Sequence, residues 1–324
     1  MRLLAAAFAL FFFLPAAWAF IPLGPPDKEQ IEYPQGQAPG DREVALGRTL
    51  FFDQRLSFNR SQACASCHNP QLGLGDGLAL GKGAKGLPLT RNAPPLYNLA
   101  WNSSFFWDGR ASSLEEQALG PITSPNEMNQ PLETLLPLLR AVPYYQTEFQ
   151  AIYGPEGVTA KSLGQALAAF ERSLILDASP LDRFAQGDAA ALTPAQRRGK
   201  QLFETKARCV LCHDGPNLTD NGFHNMGLQG ADPGRQAVTQ DPKLQGAFKT
   251  PSLRNLTQTA PYMHDGSLPT LGAVLEFYNR GGEVKTNLDP DVRPLNLSKA
   301  ELADLEAFLE SLTQDLVIHA PALP

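Results

Sequence analysis

Cys64-Ala65-Ser66-Cys67-His68 and Cys209-Val210-Leu211-Cys212-His213 hold all four cysteines of the 324-residue chain, each pair closed by a histidine. Two cysteines three apart with a histidine directly after form the attachment signature of a c-type haem. One helical turn brings both thiols within reach of the two vinyl groups of a porphyrin, and the next residue presents an imidazole to the iron. Two other readings use the same cysteines. Four thiolates can hold a zinc ion, and four cysteines in an exported protein can form two disulfides. The identically placed histidines and the gap of more than a hundred residues between the pairs favour two haems.

The chain opens with features of a cleaved export signal over residues 1–19: Arg2, an apolar run from Leu3 to Leu14, and the small-x-small triplet Ala17-Trp18-Ala19. That run is too short to span a bilayer, and no second long apolar stretch follows. A periplasmic address is expected, with no membrane span after cleavage. The formal charge is −6, or −7 once Arg2 is removed. Such a balance argues against nucleic acid or an anionic membrane as partner and favours encounter with a basic protein.

The elements that must position these groups are mostly helical. Residues 20–40 are rich in Pro and Gly and read as an extended lead-in. Glu43 to Phe52 has apolar residues at helical spacing, with Asp41 as its N-cap. Six glycines between Gly73 and Gly86 mark a loop, and Ser162 to Ile175 reads as a helix. Gln186-Gly187-Asp188 marks the seam between an N-terminal domain, 41–187, and a C-terminal domain, 188–324. Thr193 and Pro194 cap a helix running to Phe203, and Glu301 to Leu312 forms the last one. Strand signals are few, so the expected fold is mainly α.

An internal repeat supports two similar domains. Gly47-Arg48-Thr49-Leu50-Phe51 is matched by Gly199-Lys200-Gln201-Leu202-Phe203. Arg91-Asn92 is echoed by Arg254-Asn255. Trp107-Asp108-Gly109 with Ser113-Leu114 is echoed by His264-Asp265-Gly266 with Thr270-Leu271. Their common order after each CxxCH points to duplication of a cytochrome-c-like helical domain around its own haem.

The same residues resemble the bacterial di-haem cytochrome c peroxidases, the superfamily that also contains the methylamine-utilisation enzyme MauG. The matching text begins with Leu50-Phe51-Phe52-Asp53, Arg55-Leu56-Ser57, Arg91-Asn92-Ala93-Pro94 and Phe106-Trp107-Asp108-Gly109-Arg110. It continues with Ser113 to Ala118, Ala169-Phe170-Glu171-Arg172, Pro251 to Asn255 and Ala260 to Gly266. The resemblance implies a peroxidatic haem in the first domain, an electron-transfer haem in the second, and a calcium ion and a tryptophan between them. By family position Trp107 is the relay, Glu127 the general base and Gln117 the group that holds peroxide or its water. Calcium would be bound by Asn92 and the carbonyls of Thr259 and Pro261.

Peroxide chemistry needs an iron with one open face; a haem bound on both faces passes electrons only. His68 and His213 are the expected proximal ligands. Many relatives carry a second histidine after the first haem, but no histidine lies between His68 and His213 here. The first haem is therefore expected to be open in the oxidised state. Fourteen residues after His264, where relatives place a methionine, stands Tyr278. A phenolate would stabilise ferric iron there, with Met226 and Met263 as rival ligands. Counting fourteen from Trp107 reaches Pro121, which has no donor side chain. His264 is then structural, and His224 and His319 are ordinary satisfied histidines.

Two activities fit this site. One is reduction of hydrogen peroxide to water, with electrons from a small periplasmic cytochrome c or cupredoxin. The other is a MauG-like oxidase whose high-valent di-haem state takes electrons from Trp or Tyr residues of a partner protein. Tyr278 favours the second, although Thr205-Lys206-Ala207-Arg208 offers no aromatic stepping-stone beside Cys209. Peroxidase is the first-ranked reading.

Overall fold

The computed structural model describes residues 20–34 and 36–324; the expected signal, 1–19, lies outside them. Eleven helices carry the described fold: α1 (Asp41–Phe51), α2 (Cys64–Cys67), α3 (Leu114–Thr123), α4 (Leu132–Arg140), α5 (Pro143–Tyr153), α6 (Ala160–Arg172), α7 (Pro180–Ala185), α8 (Pro194–Glu204), α9 (Gln236–Thr239), α10 (Leu271–Arg280) and α11 (Lys299–Glu310). The only named strands among the described residues are β1 (Phe223–His224) and β2 (Phe248–Lys249), paired antiparallel. The mainly α expectation holds.

The two halves use one packing device twice. In the first, α1 crosses α6 at Gly47, where a Cβ would sit 1.8 Å from the Ala166 carbonyl oxygen. In the second, α8 crosses α11 at Gly199, where a Cβ would sit 1.9 Å from the Asp304 carbonyl oxygen. One turn along each pair, Phe51 meets Phe170 edge to face at 5.1 Å, and Phe203 meets Phe308 at 5.2 Å. The glycines bring the backbones together so that each aromatic pair is fully enclosed; both the area buried and the edge-to-face geometry stabilise the crossing. The third member of each unit is α3 or α10, capped by Ser113 and Thr270, which accept from the amides of Glu116 and Ala273.

The register of the repeat differs at one point from the sequence reading. The counterpart of Asn255 is Asn98, not Asn92. Both adopt left-handed backbone, φ 54° and 56°. Asn98 exchanges side-chain hydrogen bonds with the backbone of Leu176, and Asn255 does so with Gln314. Each stands nine residues before Trp107 or His264. The shared Arg-Asn dipeptide is a coincidence of type. Two helix ends also move: Gly40 caps α1, with Asp41 as its first helical residue, and α6 starts at Ala160 behind the Thr159–Ser162 capping box and stops at Arg172.

Each half has its own core, and the chain ends cross between them. Leu23 and Leu181 pack with Phe203, Leu275 and Phe308, whereas Leu316 and Ile318 pack against the core of Leu50, Phe51 and Phe170.

Candidate haem and peroxide site

In the first half, α2 is a single turn bracketed by Cys64 and Cys67, and the His68 amide closes it on the Cys64 carbonyl at 2.9 Å. The chain then bends through Leu74 in left-handed conformation, which returns its carbonyl to His68 Nδ1 at 3.0 Å. With Nδ1 held, Nε2 is the nitrogen left for a metal, and burial lowers the imidazole pKa so that the neutral, ligating form persists. The second half repeats this. The His213 amide reaches the Cys209 carbonyl at 2.9 Å, and Nδ1 meets the Leu218 carbonyl at 2.9 Å.

Each motif opens into its own cavity. The first, of 510 Å³, is lined by Cys64, Cys67, His68, Gln117, Pro121 and Glu127. The second, of 340 Å³, is lined by Cys209, Cys212, His213, Met226, Met263 and Tyr278. The four thiols are unpaired, so neither disulfide forms. The cysteine pairs also face different cavities, which disposes of a shared four-thiolate metal site. Burial raises the Cys67 thiol to about 11 and Cys209 to about 12, so both stay neutral thiols at neutral pH.

Side chains in these cavities fit a large polar-edged group. Among the described residues, four buried side-chain polar atoms lack a hydrogen-bond partner; Ser104 Oγ and Glu171 Oε2 line the first cavity and Arg208 Nη1 the second. No histidine besides His68 lines the first cavity. At the position where the second cavity receives Tyr278 from α10, the first receives Pro121 from α3. No hydrogen bond engages the Tyr278 hydroxyl among the described residues, and burial pushes its pKa above the usual phenol value.

Trp107 borders both cavities. Its indole Nε1 donates to the Asn92 carbonyl at 2.9 Å, and its own carbonyl accepts from the Lys249 amide at 2.8 Å. Arg235 clamps the next two carbonyls, of Asp108 and Gly109, while Arg91 joins Asp108 to Asp232 at 2.6 and 2.8 Å. The tryptophan is thus fixed from both halves.

Residues 41–190 match the family model for di-haem cytochrome c peroxidase, and residues 196–313 match that for cytochrome c. The chain is 44% identical over 301 residues to the methylamine utilization protein MauG of Methylorubrum extorquens, covering 91% of this chain and 85% of that one. It is 34% identical over 294 residues to the cytochrome c551 peroxidase of Nitrosomonas europaea, covering 89% and 85%. Among solved structures, a MauG-like protein associated with microbial copper homeostasis superposes with a TM-score of 0.83 at 31% identity, covering 95% of this chain and 96% of that one. The chain belongs to the di-haem cytochrome c peroxidase/MauG family.

As a member of that family it is an oxidoreductase of the cytochrome-c peroxidase type, and its two cytochrome c domains imply two haems. Asn92, Thr259 and Pro261, the residues expected to hold calcium, all line the second cavity, beside the cis Ala260–Pro261 bond. The Asn92 amide nitrogen donates to the carbonyls of Leu78 and Ala79, so Oδ1 is left to accept or ligate. Neutral oxygens of this sort could hold a calcium ion.

Two of the remaining histidines are held by neighbouring side chains. His224 is held between Asp220 (2.8 Å) and Asp289 (2.7 Å), both of which favour its charged form. His264 stacks on Phe248 with ring centroids 3.6 Å apart.

Two residues of the site are invisible to motif reading, Lys249 and Gly83, and Glu171, although inside the matched Ala169–Arg172 text, gave no sign of its place in the cavity. Gly83 sits where a Cβ would meet the Asn126 carbonyl oxygen at 1.8 Å, and the next amide, of Ala84, donates to the Glu127 carbonyl at 2.7 Å. The glycine-rich loop therefore sets the position of Glu127. Gly83→Ala is expected to displace the Asn126–Glu127 turn and lower peroxide turnover at least tenfold, the scale of effect that misplacing a catalytic group produces. Steady-state assay at matched haem content checks this; wild-type turnover would show that the loop does not locate Glu127.

Proposed function

We propose that this protein reduces hydrogen peroxide to water at the haem of its first half, with electrons supplied through the haem of its second half by a small periplasmic donor. The reading rests on the inequality of two equivalent positions, Pro121 in the first cavity and Tyr278 in the second. Each haem, when bound through its cysteines and His68 or His213, supplies an iron that exchanges single electrons. Pro121 leaves the face toward Gln117 and Glu127 without a protein ligand, so a small oxidant has room there. Gln117 orients the peroxide through its amide. The Glu127 carboxylate takes a proton from one peroxide oxygen and returns it to the other, so that two electrons and two protons convert peroxide to two waters. Trp107 lies on the path between the halves.

Tyr278, with His213, would hold the haem iron of the second half. Met263 stands at the repeat position of Phe106 and Met226 outside the repeat, whereas Tyr278 arrives from the helix equivalent to the one that carries Pro121. Calcium at Asn92, Thr259 and Pro261 would brace the backbone beside Trp107. An export signal at residues 1–19 and a charge of −7 after its removal suit a periplasmic enzyme with a basic cytochrome c or cupredoxin as donor.

A second reading is favoured by Tyr278 and by the 44% identity to MauG: the same pair of haems oxidises Trp or Tyr residues of a partner protein. Mixing the fully oxidised protein with peroxide tests what the two share. The haem spectrum is expected to change at once, without prior reduction; no change until an electron is added would mean that the first iron is blocked. Tyr278→Phe should alter only the low-spin haem of the second half, and an untouched spectrum would remove Tyr278 as ligand. Turnover with a small cytochrome c, set against candidate protein substrates, separates the two activities.

A further inference from the structure

Lys249 has no role in the chemistry above, yet it occupies the partition between the two cavities and borders both. It lies on β2, opposite Phe223, and its amide donates to the Trp107 carbonyl at 2.8 Å. The residue is only 8% exposed. Its ammonium has no hydrogen-bonded or ion-paired partner among the described residues; the one charge that favours it is Asp220, already engaged by His224 at 2.8 Å. Burial pulls its pKa down to about 8. A buried cation persists where an anion reaches it, because desolvation of an unpaired charge opposes folding. Each porphyrin that the two CxxCH motifs attach carries two carboxylates on the edge remote from its vinyl groups.

We propose that the Lys249 ammonium binds a haem propionate at the partition between the cavities and thereby raises the reduction potential of that haem. The arrangement gives one residue two tasks: its backbone holds Trp107, and its side chain neutralises a carboxylate beside it. A lysine so placed is a positioning and electrostatic residue. Charge-assisted hydrogen bonds to a carboxylate are the strong kind, and a fixed positive charge near a ferric/ferrous couple favours the ferrous form.

The inference rests on the two-haem reading, which is checked first by counting haems per chain in the wild type; fewer than two would end that reading independently of Lys249. Spectroelectrochemical titration of Lys249→Met and Lys249→Arg then tests the proposal. In Lys249→Met, which keeps the backbone bond to Trp107, at least one haem is expected to shift toward the ferric form about tenfold, a fall of about 59 mV for one electron. Lys249→Arg should stay within about threefold of wild type, since it retains the charge. Unchanged potentials of both haems in Lys249→Met overturn the proposal. If Lys249→Met fails to retain two haems, Lys249→Gln is read in the same way. Loss of haem from both neutral variants with retention in Lys249→Arg supports the charge role, and equal loss in Lys249→Arg overturns it.

Discussion

Glu127→Gln is expected to keep both haems and lose peroxide turnover, with kcat/KM for peroxide falling about 10²- to 10⁴-fold, the range that a positioned acid–base group supplies. The side chain reaches the first cavity from the tight turn after α3, where the Glu127 amide donates to the Ser124 carbonyl at 3.1 Å and the Met128 amide to that of Pro121 at 3.0 Å. Glutamine preserves that shape and its hydrogen bonding but can neither accept a proton from one peroxide oxygen nor hand it to the other. Asp108 and Glu171 are the other carboxyls lining this cavity, and Asp108 is already ion-paired with Arg91 and Arg110. Burial raises Glu171 to about 8, which favours its protonated form at neutral pH and makes it a poorer base than Glu127's position allows. The measurement is steady-state turnover at matched haem content; a fall of less than about threefold would assign proton transfer elsewhere.

What could be read from the residues follows from the range of the forces involved. The CxxCH turns, the amphipathic helices and their Ser/Thr caps are local, and α8 is capped by Thr193 as its Thr-Pro pair indicates. Counting from Trp107 to Pro121 and from His264 to Tyr278 reaches equivalent helix positions in the two cavities because no residue is inserted in either segment. Arg91-Asn92 misled because dipeptide identity carries no register; the fixed distance of Asn98 and Asn255 from Trp107 and His264 was the usable signal. The roles of Gly83 and Lys249, and the burial of Glu171 within its matched text, stayed hidden for a different reason. Each owes its role to a backbone or cavity contributed by a distant segment, and nothing in a Gly, Lys or Glu taken alone reports its burial.

Arg254→Met is expected to destabilise the fold by about 3–5 kcal/mol, because it strands a buried carboxylate. Arg254 and Asp182 form a bidentate pair at 2.8 and 2.9 Å, with side chains 1% and 0% exposed. The same guanidinium donates to the carbonyls of Pro216 and Gly24, so it joins the lead-in, α7 and the loop after the second haem motif. Methionine fills much of the volume but leaves Asp182 with only the amide and hydroxyl of Ser179 as donors. Thermal unfolding should show a Tm lower by at least about 6 °C. Adding Asp182→Asn should recover part of the loss, since a neutral amide no longer needs the cation; the size of that recovery measures the coupling. A loss below about 1 kcal/mol for the single variant would mean that water reaches Asp182. The consequence extends to the haem site. Pro216 lies between His213 and Leu218, whose carbonyl holds the imidazole Nδ1, so releasing Arg254 loosens the loop that aims His213. The variant should therefore broaden the spectrum of the second haem before it alters the first, whose His68 is held by Leu74 on a separate turn.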